Sequence, residues 1–308
     1  MNKKISFIIP IHDEEKLIHK TLSELLKIPY DNYDILIGLD GCTDNSESLV
    51  RMFAATNKKI KVYSFIERRG KNGVINDLIN SSKSDIIIIH DIDWIFDYKD
   101  KETLNNFISV FDNPEIGGIA ESFPITWPLC EGMSTLELGI TIHGKIWIDF
   151  LKEKGIPWGE WILLNKKEYP MLVNIFRRDL YKNNNTLGDD FERCVDIWNC
   201  NKLILAAKED KWPRMKSAGE EYSFSSLLRQ KERTALAREQ LDKKLNGRKL
   251  GGWPLIAYTI DHLKYYEEIP KARRGFNLVS LIFILGTIKS KLKKKIVTTK
   301  EGWQMRAR

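Results

Sequence analysis

Residues 85–93, DIIIIHDID, place four isoleucines before two aspartates that one residue separates. Such a short, continuously apolar run predicts a strand that is buried on both faces, as in a parallel sheet covered by helices. If the strand continues, Asp91 and Asp93 point to the same side. Two carboxylates this close repel each other unless a cation joins them. Because Mg²⁺ and Mn²⁺ prefer carboxylates together with substrate phosphate, the pair predicts a metal site for a diphosphate.

The first 125 residues repeat this strand pattern and alternate it with amphipathic helical patterns. Strands are predicted at 4–11, 33–39, 60–66 and 85–91, and each is followed by a helix. Strands joined by helices predict a parallel sheet with right-handed crossovers, which is a Rossmann-like α/β fold. In such sheets, ligands bind beyond the carboxyl ends of the strands.

Charged residues cluster at those carboxyl ends. Asp13 and Glu14 follow the first strand, Asp40 ends the second, and the turn RRGK, with Lys71, follows the third. A glycine-flanked cationic turn before a helix suits phosphate, and Asp40 would accept a hydrogen bond from a nucleobase or ribose. Each feature also has a simpler interpretation: a helix-dipole partner, turn chemistry or a capped loop start. Their convergence on one sheet edge favours a shared nucleotide site.

The composition is that of a soluble globular protein. The chain has 308 residues, of which 43% are hydrophobic and 30% are charged, enough to bury a full core. A net charge of +7 fits anionic partners such as nucleotides or phospholipid. The basic residues lie beside an apolar stretch without interleaved aromatics, so nucleic acid is not expected as a partner. Four cysteines without CxxC spacing indicate free thiols in a reducing, cytoplasmic compartment.

The C-terminal part of the chain has a different pattern. Residues 276–288, FNLVSLIFILGTI, are apolar, and residues 271–295 hold eight Lys or Arg and no Asp or Glu. An apolar run of this length is too short to span a membrane. Flanked by basic clusters, it fits a helix in the interface of an anionic membrane; the alternative is a core helix with solvated lysines beside it. This pattern predicts a peripheral position on the cytoplasmic face of the membrane.

Four motifs, FIIPIHDEE, GLDGCTDNS, RRGKNGVIND and IIIIHDID, in this order and spacing resemble the nucleotide-sugar half of a family 2 glycosyltransferase. The resemblance covers residues 4–240. It implies the GT-A fold and transfer of a sugar from a nucleotide diphosphate sugar, with Mn²⁺ or Mg²⁺ at the aspartate pair. It also implies a catalytic domain over 1–245, with a nucleotide-sugar half at 1–125 and an acceptor half at 126–245. A helical C-terminal extension then occupies residues 246–308.

The matched motifs imply roles for the residues of the donor site. These residues are Pro10, Glu14, Asp40, Lys71, Asp91 and Asp93. The first three line the nucleoside pocket, the lysine lies near the nucleotide, and the aspartate pair faces ribose, metal and diphosphate. His12 and Asp13 stand where the family commonly has Tyr-Asn, and Leu39 stands where a second aspartate is frequent. Uracil, guanine and thymine therefore remain open as the base.

The second half supplies a predicted base and a predicted cationic element. LGDDFERCVDIW resembles the family's acidic motif, in which the aspartate matching Asp190 is the catalytic base. The adjacent Asp189 would raise the pKa of one of the two carboxyls, and helix capping is the alternative. Gln230 and Arg233 match the Q-x-x-R-W element of polymerising members, where an arginine would steady the departing diphosphate. Thr234 replaces the tryptophan, so a processive polymerase is not inferred.

The resemblance thus implies a metal-dependent, inverting glycosyltransferase, which we expect to act on a glycan or lipid-linked acceptor. Two other functions remain open. A sugar-1-phosphate nucleotidyltransferase shares the sheet and the metal, but it usually has a glycine-rich loop after the first strand, which PIHDEEKLIHK lacks. A catalytically inactive, membrane-binding module would explain the basic charge but not the acidic motifs.

Overall fold

The computed structural model describes residues 3–98, 100–121, 134–208, 214–217, 222–245, 252–266 and 269–292. Its strands are β1 (Ile5–Ile11), β2 (Tyr33–Asp40), β3 (Ile60–Phe65), β4 (Ile86–Ile89), β5 (Trp94–Asp97), β6 (Ile116–Ala120), β7 (Ile156–Trp158), β8 (Trp161–Leu163), β9 (Val173–Arg177), β10 (Leu203–Ala207) and β11 (Arg214–Ser217). Its α-helices are α1 (Glu15–Leu25), α2 (Ser46–Thr56), α3 (Lys71–Ser81), α4 (Lys101–Ser109), α5 (Thr135–Glu153), α6 (Asp189–Asn199), α7 (Phe224–Lys244), α8 (Gly252–Leu263) and α9 (Ala272–Leu292). Short 3₁₀ helices occur at Val110–Asp112, Arg178–Leu180 and Lys264–Tyr266. The predicted boundary at residue 125 and Cys130 lie outside the described residues.

One nine-stranded sheet runs through both predicted halves, in the order β3-β2-β1-β4-β9-β6-β10-β8-β7. β1 pairs in parallel with β2 and β4, and β10 pairs in parallel with β6. β8 and β9 are antiparallel to both of their neighbours, so the other strands share one direction. The result is a mostly parallel α/β sheet, as the sequence predicts. β5 and β11 form a separate antiparallel ribbon.

The first strands are apolar at nearly every position because helices cover both faces of the sheet. Every residue of β1 and β2 is buried. Phe7 belongs to the same buried cluster as Leu22 of α1, whereas its neighbour Ile8 belongs to the cluster that contains Val74 of α3. Alternate side chains of a strand point to opposite faces, so each face needs its own apolar set.

The isoleucine run forms β4, but this strand is shorter than the sequence indicated. It ends at Ile89, and the chain turns at Ile92 and Asp93. The extended geometry expected for Asp91 and Asp93 is therefore wrong. The physical reason is that the Ile92 side chain is fully buried, while the Thr21 hydroxyl donates to the Ile92 carbonyl at 2.6 Å.

The early end of β4 lies at the point where the order of the strands reverses, at which a crevice is expected. β2 and β3 lie on one side of β1 and β4 lies on the other, so the winding of the chain reverses between β1 and β4. β4 pairs with β1 only as far as Ile8, whereas β1 continues to Ile11. A reversal point of this kind is where open α/β sheets bind their ligands.

Helix α9 packs on α5 and α7 and forms part of the described C-terminal region. At Gly139 of α5, an added Cβ would lie 2.2 Å from the Gly275 carbonyl oxygen, so only glycine allows the two backbones to approach this closely. His143 stacks on Phe276 with ring centroids 4.0 Å apart. The helix has 21 residues and is long and apolar enough to cross a membrane. The 13-residue apolar run at 276–288 did not indicate this length. Of the most apolar window of the helix, 33% is buried in the protein.

Candidate functional site

Asp40 lies at the end of β2 and holds the cationic turn before α3. Its carboxylate is fully buried and accepts the backbone N–H groups of Arg69 at 2.5 Å and Gly70 at 3.0 Å. Gly70 has φ 77°, a left-handed conformation that favours glycine. Asp40 thus fixes the start of α3, and its contact with a nucleobase stays a prediction.

Pro10 and Glu14 lie beside this turn, as the donor-site motifs require. Pro10 is buried in β1 opposite Gly38 of β2. Glu14 precedes α1, is 6% exposed, and its backbone N–H donates to the Ser46 hydroxyl at 2.8 Å. The loops that follow β1 and β2 are therefore joined, and the structure brings the residues predicted for the nucleoside pocket to one edge.

A group of possible metal ligands occurs next to these loops, although the sequence spacing of the histidines gave no sign of it. Ligand atoms of His12, Asp13 and Cys42 lie within 4.8 Å of one another. The Asp13 carboxylate already accepts the Thr43 N–H at 2.7 Å and the Thr43 hydroxyl at 3.0 Å. Burial raises the pKa of the Cys42 thiol to about 11. These contacts favour a structural role for the group.

Lys71 and Asp91 meet at the crevice between β1 and β4. Lys71 is the first residue of α3, and its Nζ lies 2.9 Å from Asp91 Oδ2. Their side chains are 13% and 20% exposed, and Asp93 lies partly exposed on the same turn. Two oxygen ligands at the mouth of a crevice, next to a cation, are suited to a metal-bound diphosphate.

His90, which precedes the aspartate pair, is part of the core. It is 1% exposed and lies beside the rings of Phe7 and Phe96. Burial lowers the pKa of His90 to about 4, so its ring is neutral near pH 7. This placement indicates packing and leaves the aspartates as the chemically competent groups of the segment.

The two aspartates of the acidic motif have different environments at the start of α6. Arg193 Nη1 lies 2.7 Å from Asp189 Oδ2, and both side chains are 3% exposed. Burial alone would raise the pKa of Asp189, but the charges of Arg193 and Lys71 lower it. Burial, and then the charge of Asp189, raise the pKa of Asp190. Asp189 is thus a paired anion, whereas Asp190 has the character of a base.

The donor and acceptor halves meet at the start of α3. Asn72 Nδ2 donates to the Thr186 carbonyl at 2.7 Å, which fixes the loop before α6 against α3. The positive charge of Lys71, already paired with Asp91, also acts on Asp189 and Asp190. One ammonium group thus lies in contact with Asp91 and within electrostatic range of both aspartates of the acidic motif.

Helix α7 contributes Arg233 to the surroundings of the acidic motif. Arg233 Nη2 donates to the Leu187 carbonyl at 3.3 Å, and its charge helps to lower the pKa of Asp189. Gln230 lies one turn earlier on α7; within the described part of the chain, its Oε1 atom is buried without a hydrogen-bond partner. Arg233 thus reaches the acidic motif, and the role of Gln230 stays a prediction.

Glu121 is a residue of the site that the sequence interpretation missed. It directly follows β6, and Asn174 of β9 donates a hydrogen bond to it. Burial is the largest cause that raises the pKa of Glu121 to about 7, and the charges of Asp190 and Asp91 add to it. The sequence signal was present, because a carboxylate that follows an apolar strand also marks Asp91.

Comparison with known sequences gives matches in the donor half. Residues 6–121 match the family described as glycosyl transferase family 2. Glycosyltransferase AglD of Haloferax volcanii is 23% identical over 106 residues, 33% of this chain and 17% of that protein. Poly-beta-1,6-N-acetyl-D-glucosamine synthase of Staphylococcus aureus is 32% identical over 93 residues, 30% of this chain and 22% of that protein. The chain thus matches about a fifth of the length of these curated relatives.

Solved structures resemble nearly the whole chain. Mannosyltransferase PcManGT from Pyrobaculum calidifontis, in complex with GDP-Man and Mn²⁺, superposes with a TM-score of 0.63 at 16% identity, over 96% of this chain and 89% of that chain. TarS of S. aureus has a TM-score of 0.52 at 15% identity, over 87% of this chain and 44% of that chain. At such identities the likeness shows the fold alone, which is the predicted GT-A fold.

Proposed function

We propose that this chain, whose residues 6–121 form a family 2 glycosyl transferase domain, transfers a sugar from a nucleotide diphosphate sugar to a hydroxyl group. The family match over residues 6–121 supports the predicted enzyme class, a glycosyltransferase. One observation carries the proposal for the whole chain. Lys71 lies 2.9 Å from Asp91, and its charge also acts on Asp189 and Asp190, so acids of the donor and acceptor halves share the influence of one ammonium group.

Asp91 and Asp93 are the residues that would hold Mn²⁺ or Mg²⁺. Carboxylate oxygens are the ligands that these ions prefer, and both side chains are partly exposed at the crevice. The ammonium group beside Asp91 indicates that this position favours positive charge. When bound, the ion would neutralise the diphosphate of the leaving nucleotide. The mannosyltransferase complex with GDP-Man and Mn²⁺ supports this assignment through the shared fold.

Asp190 is the proposed general base. Asp189 is neutralised by Arg193, whereas the raised pKa of Asp190 brings its proton affinity closer to that needed near neutral pH. Asp190 takes the proton of the acceptor hydroxyl as the hydroxyl oxygen attacks the anomeric carbon. The bond from that carbon to the diphosphate breaks, and a single displacement of this kind inverts the configuration. Arg233 would add positive charge near the leaving group.

The acceptor is proposed to be a glycan or a lipid-linked saccharide at the cytoplasmic face of a membrane. Helix α9 supports this location, because its exposed side carries a stripe of large apolar residues at helical spacing. They are Leu281, Ile284, Leu285, Ile288 and Leu292, with exposed fractions from 37% to 75%. Arg273, Arg274 and Lys291 lie exposed near the two ends of the helix. An apolar stripe flanked by cations is suited to an anionic lipid surface.

The other side of α9 determines how the helix would lie. Val279, Ile282 and Gly286 are buried against the protein, and Gly275 touches α5. A helix with one side committed to the protein core presents only its other side to lipid. This arrangement favours a position in the membrane interface over a span.

Release of nucleotide from a donor panel tests the proposed transfer. UDP-, GDP- and dTDP-sugars would be incubated with the full chain in Mn²⁺ and in EDTA, since water replaces an absent acceptor. We expect one donor to be consumed with Mn²⁺ only, and Asp91→Asn to lose that activity. Asp85→Asn is the matched control, because Asp85 is an exposed aspartate at the opposite end of β4. No release from any donor, together with no nucleotide binding by calorimetry, would overturn the proposal.

A further inference from the structure

Glu121, Asn174, Arg193 and Asp189 form a continuous chain of hydrogen bonds across the acceptor half. Asn174 Nδ2 donates to Glu121 Oε1, and Arg193 Nη2 donates to Asn174 Oδ1. Arg193 Nη1 then donates to Asp189 Oδ2 at 2.7 Å. The chain runs from the end of β6 through β9 to the start of α6, so it connects Glu121 to the acidic motif.

Chemistry fixes the direction of each bond in this chain. An arginine side chain only donates, so Asn174 must turn Oδ1 toward Arg193 and Nδ2 toward Glu121. Arg193 also donates to the Val173 carbonyl at 2.8 Å and to Asn184 Oδ1 at 3.1 Å. A buried guanidinium held in this way cannot turn without leaving polar groups unsatisfied. A change at Glu121 that rotates Asn174 would therefore take a hydrogen-bond partner from Arg193 Nη2.

A purely structural role for Glu121, as a link between β6 and β9, is the alternative. The backbone already makes this link, because the Glu121 N–H donates to the Leu172 carbonyl at 2.8 Å and β6 pairs with β9. The side chain is also close enough to Asp190 and Asp91 for their charges to affect it. The Glu121 side chain is thus not needed for the link between the strands, and its hydrogen bond leads instead to Asn174.

We propose that Glu121 is a positioning residue, which acts through Asn174 and Arg193 to hold Asp189 and so leaves Asp190 as the carboxylate that meets the acceptor. The inference rests on the glycosyl transfer proposed above. Glu121 does not exchange a proton with the substrate in this role. It accepts the Asn174 hydrogen bond and thereby keeps the start of α6 in register with the donor site.

Reversal of one hydrogen bond tests the proposal. In Asn174→Asp, the new carboxylate still accepts from Arg193 but faces the Glu121 carboxyl, so the two groups must share a proton or repel. In the double variant Asn174→Asp with Glu121→Gln, the new amide donates to the new carboxylate, and the bond is restored with opposite polarity. Glu121→Ala removes the bond, and Glu115→Ala at the exposed opposite end of β6 is its control.

We expect Glu121→Ala to lower kcat for Mn²⁺-dependent donor release about 100-fold, because a small misplacement of a catalytic group has effects of this size. The donor KM should stay within about twofold of the wild-type value, because binding is left intact. Asn174→Asp should lose more activity at about pH 8 than at about pH 6, because the charges of Asp190 and Asp91 help Glu121 to hold a proton at the lower pH, and only Arg193 opposes this. The double variant should recover most of the loss.

Each contrary result has a distinct meaning. Wild-type kcat in Glu121→Ala, or a double variant no faster than Asn174→Asp, overturns the positioning role and leaves the transfer proposal intact. The positioning role is also overturned if the loss of kcat is fully explained by a smaller fraction of folded enzyme, as measured by thermal unfolding. A wild-type chain that releases nucleotide from none of the UDP-, GDP- or dTDP-sugars, and that binds none of these nucleotides by calorimetry, overturns the transfer proposal itself, and the positioning role with it.

Discussion

The region from β1 to β4 and the region from β6 to β10 build their parts of the site in different ways. In the first, Asp40 follows its own strand and is held by backbone N–H groups of the next turn. In the second, Arg193 binds Asn174 and Asn174 binds Glu121, through side chains far apart in the chain. The donor region thus relies on backbone geometry, whereas the acceptor region relies on buried charges. Substitutions should therefore disturb catalysis and stability most in the acceptor region.

The largest expected effect separates catalysis from donor binding. Asp190→Asn should lower kcat for transfer about 1,000-fold, the usual size of a general-base contribution, with nucleotide affinity unchanged by calorimetry. The exposed Asp179, also in the acceptor region, gives the control variant Asp179→Asn. Weaker nucleotide binding without a change in kcat would place Asp190 in the donor site and contradict its assignment to the acceptor region.

The next effect concerns the stability of the acceptor region. Arg193→Met leaves the buried Asp189 carboxylate without its partner, which should lower the free energy of unfolding by about 3–5 kcal/mol. Adding Asp189→Asn removes the orphaned charge and should recover part of the loss. Denaturant unfolding of both variants measures the two quantities. A loss below about 1 kcal/mol in Arg193→Met would mean that the pair behaves like an exposed one.

A smaller effect tests the lysine that joins the two regions. Lys71→Gln should raise the donor KM about tenfold, because a phosphate-facing cation is lost next to Asp91. The charge of Lys71 lowers the pKa of Asp190, so without it that pKa rises. The base then stays protonated up to a higher pH, and the acid limb of the pH–kcat profile should move upward. An acid limb that does not move would show that the charge of Lys71 has no effect on Asp190.

The smallest effect lies outside both regions, on α9. Ile284→Asp with Ile288→Asp puts charge into the apolar stripe and should weaken binding to phosphatidylglycerol vesicles about tenfold, with donor release in solution unchanged. Met52→Asp on α2, where another large apolar side chain is exposed, is the control. Wild-type binding that is equal on neutral vesicles, or unchanged in the double variant, would favour a core helix with solvated lysines.

The sequence predicted the donor region well because the relevant signals there are local. An apolar run followed by a carboxylate indicates a strand and the place where it ends, and the strands before Asp40 and Asp91 are present, while the roles of these two residues in a donor site stay predictions. It failed where a buried side chain redirected the backbone, since nothing in the pattern shows that Ile92 turns inward after Ile89.

The acceptor region was harder to predict because its geometry depends on pairings between distant segments. Periodicity cannot show that β9 enters the sheet antiparallel between β4 and β6, and this insertion is what brings Asn174 to Glu121. One feature was readable and was missed. Asp189 and Arg193 are four residues apart on a helix, a spacing that favours an ion pair and indicates which aspartate is left as the base.

The contact between Gly139 and Gly275 couples α9 to α5. At this point the two helices touch backbone to backbone, and the stacking of His143 on Phe276 adds a second contact, so we expect α9 and α5 to move together. If α9 docks on a membrane as proposed, the distance between the lipid surface and the proposed active site around Asp190 is therefore fixed. Acceptors would then be sorted by how far their reactive hydroxyl stands above the headgroups, a selection by distance that needs no pocket for the lipid itself.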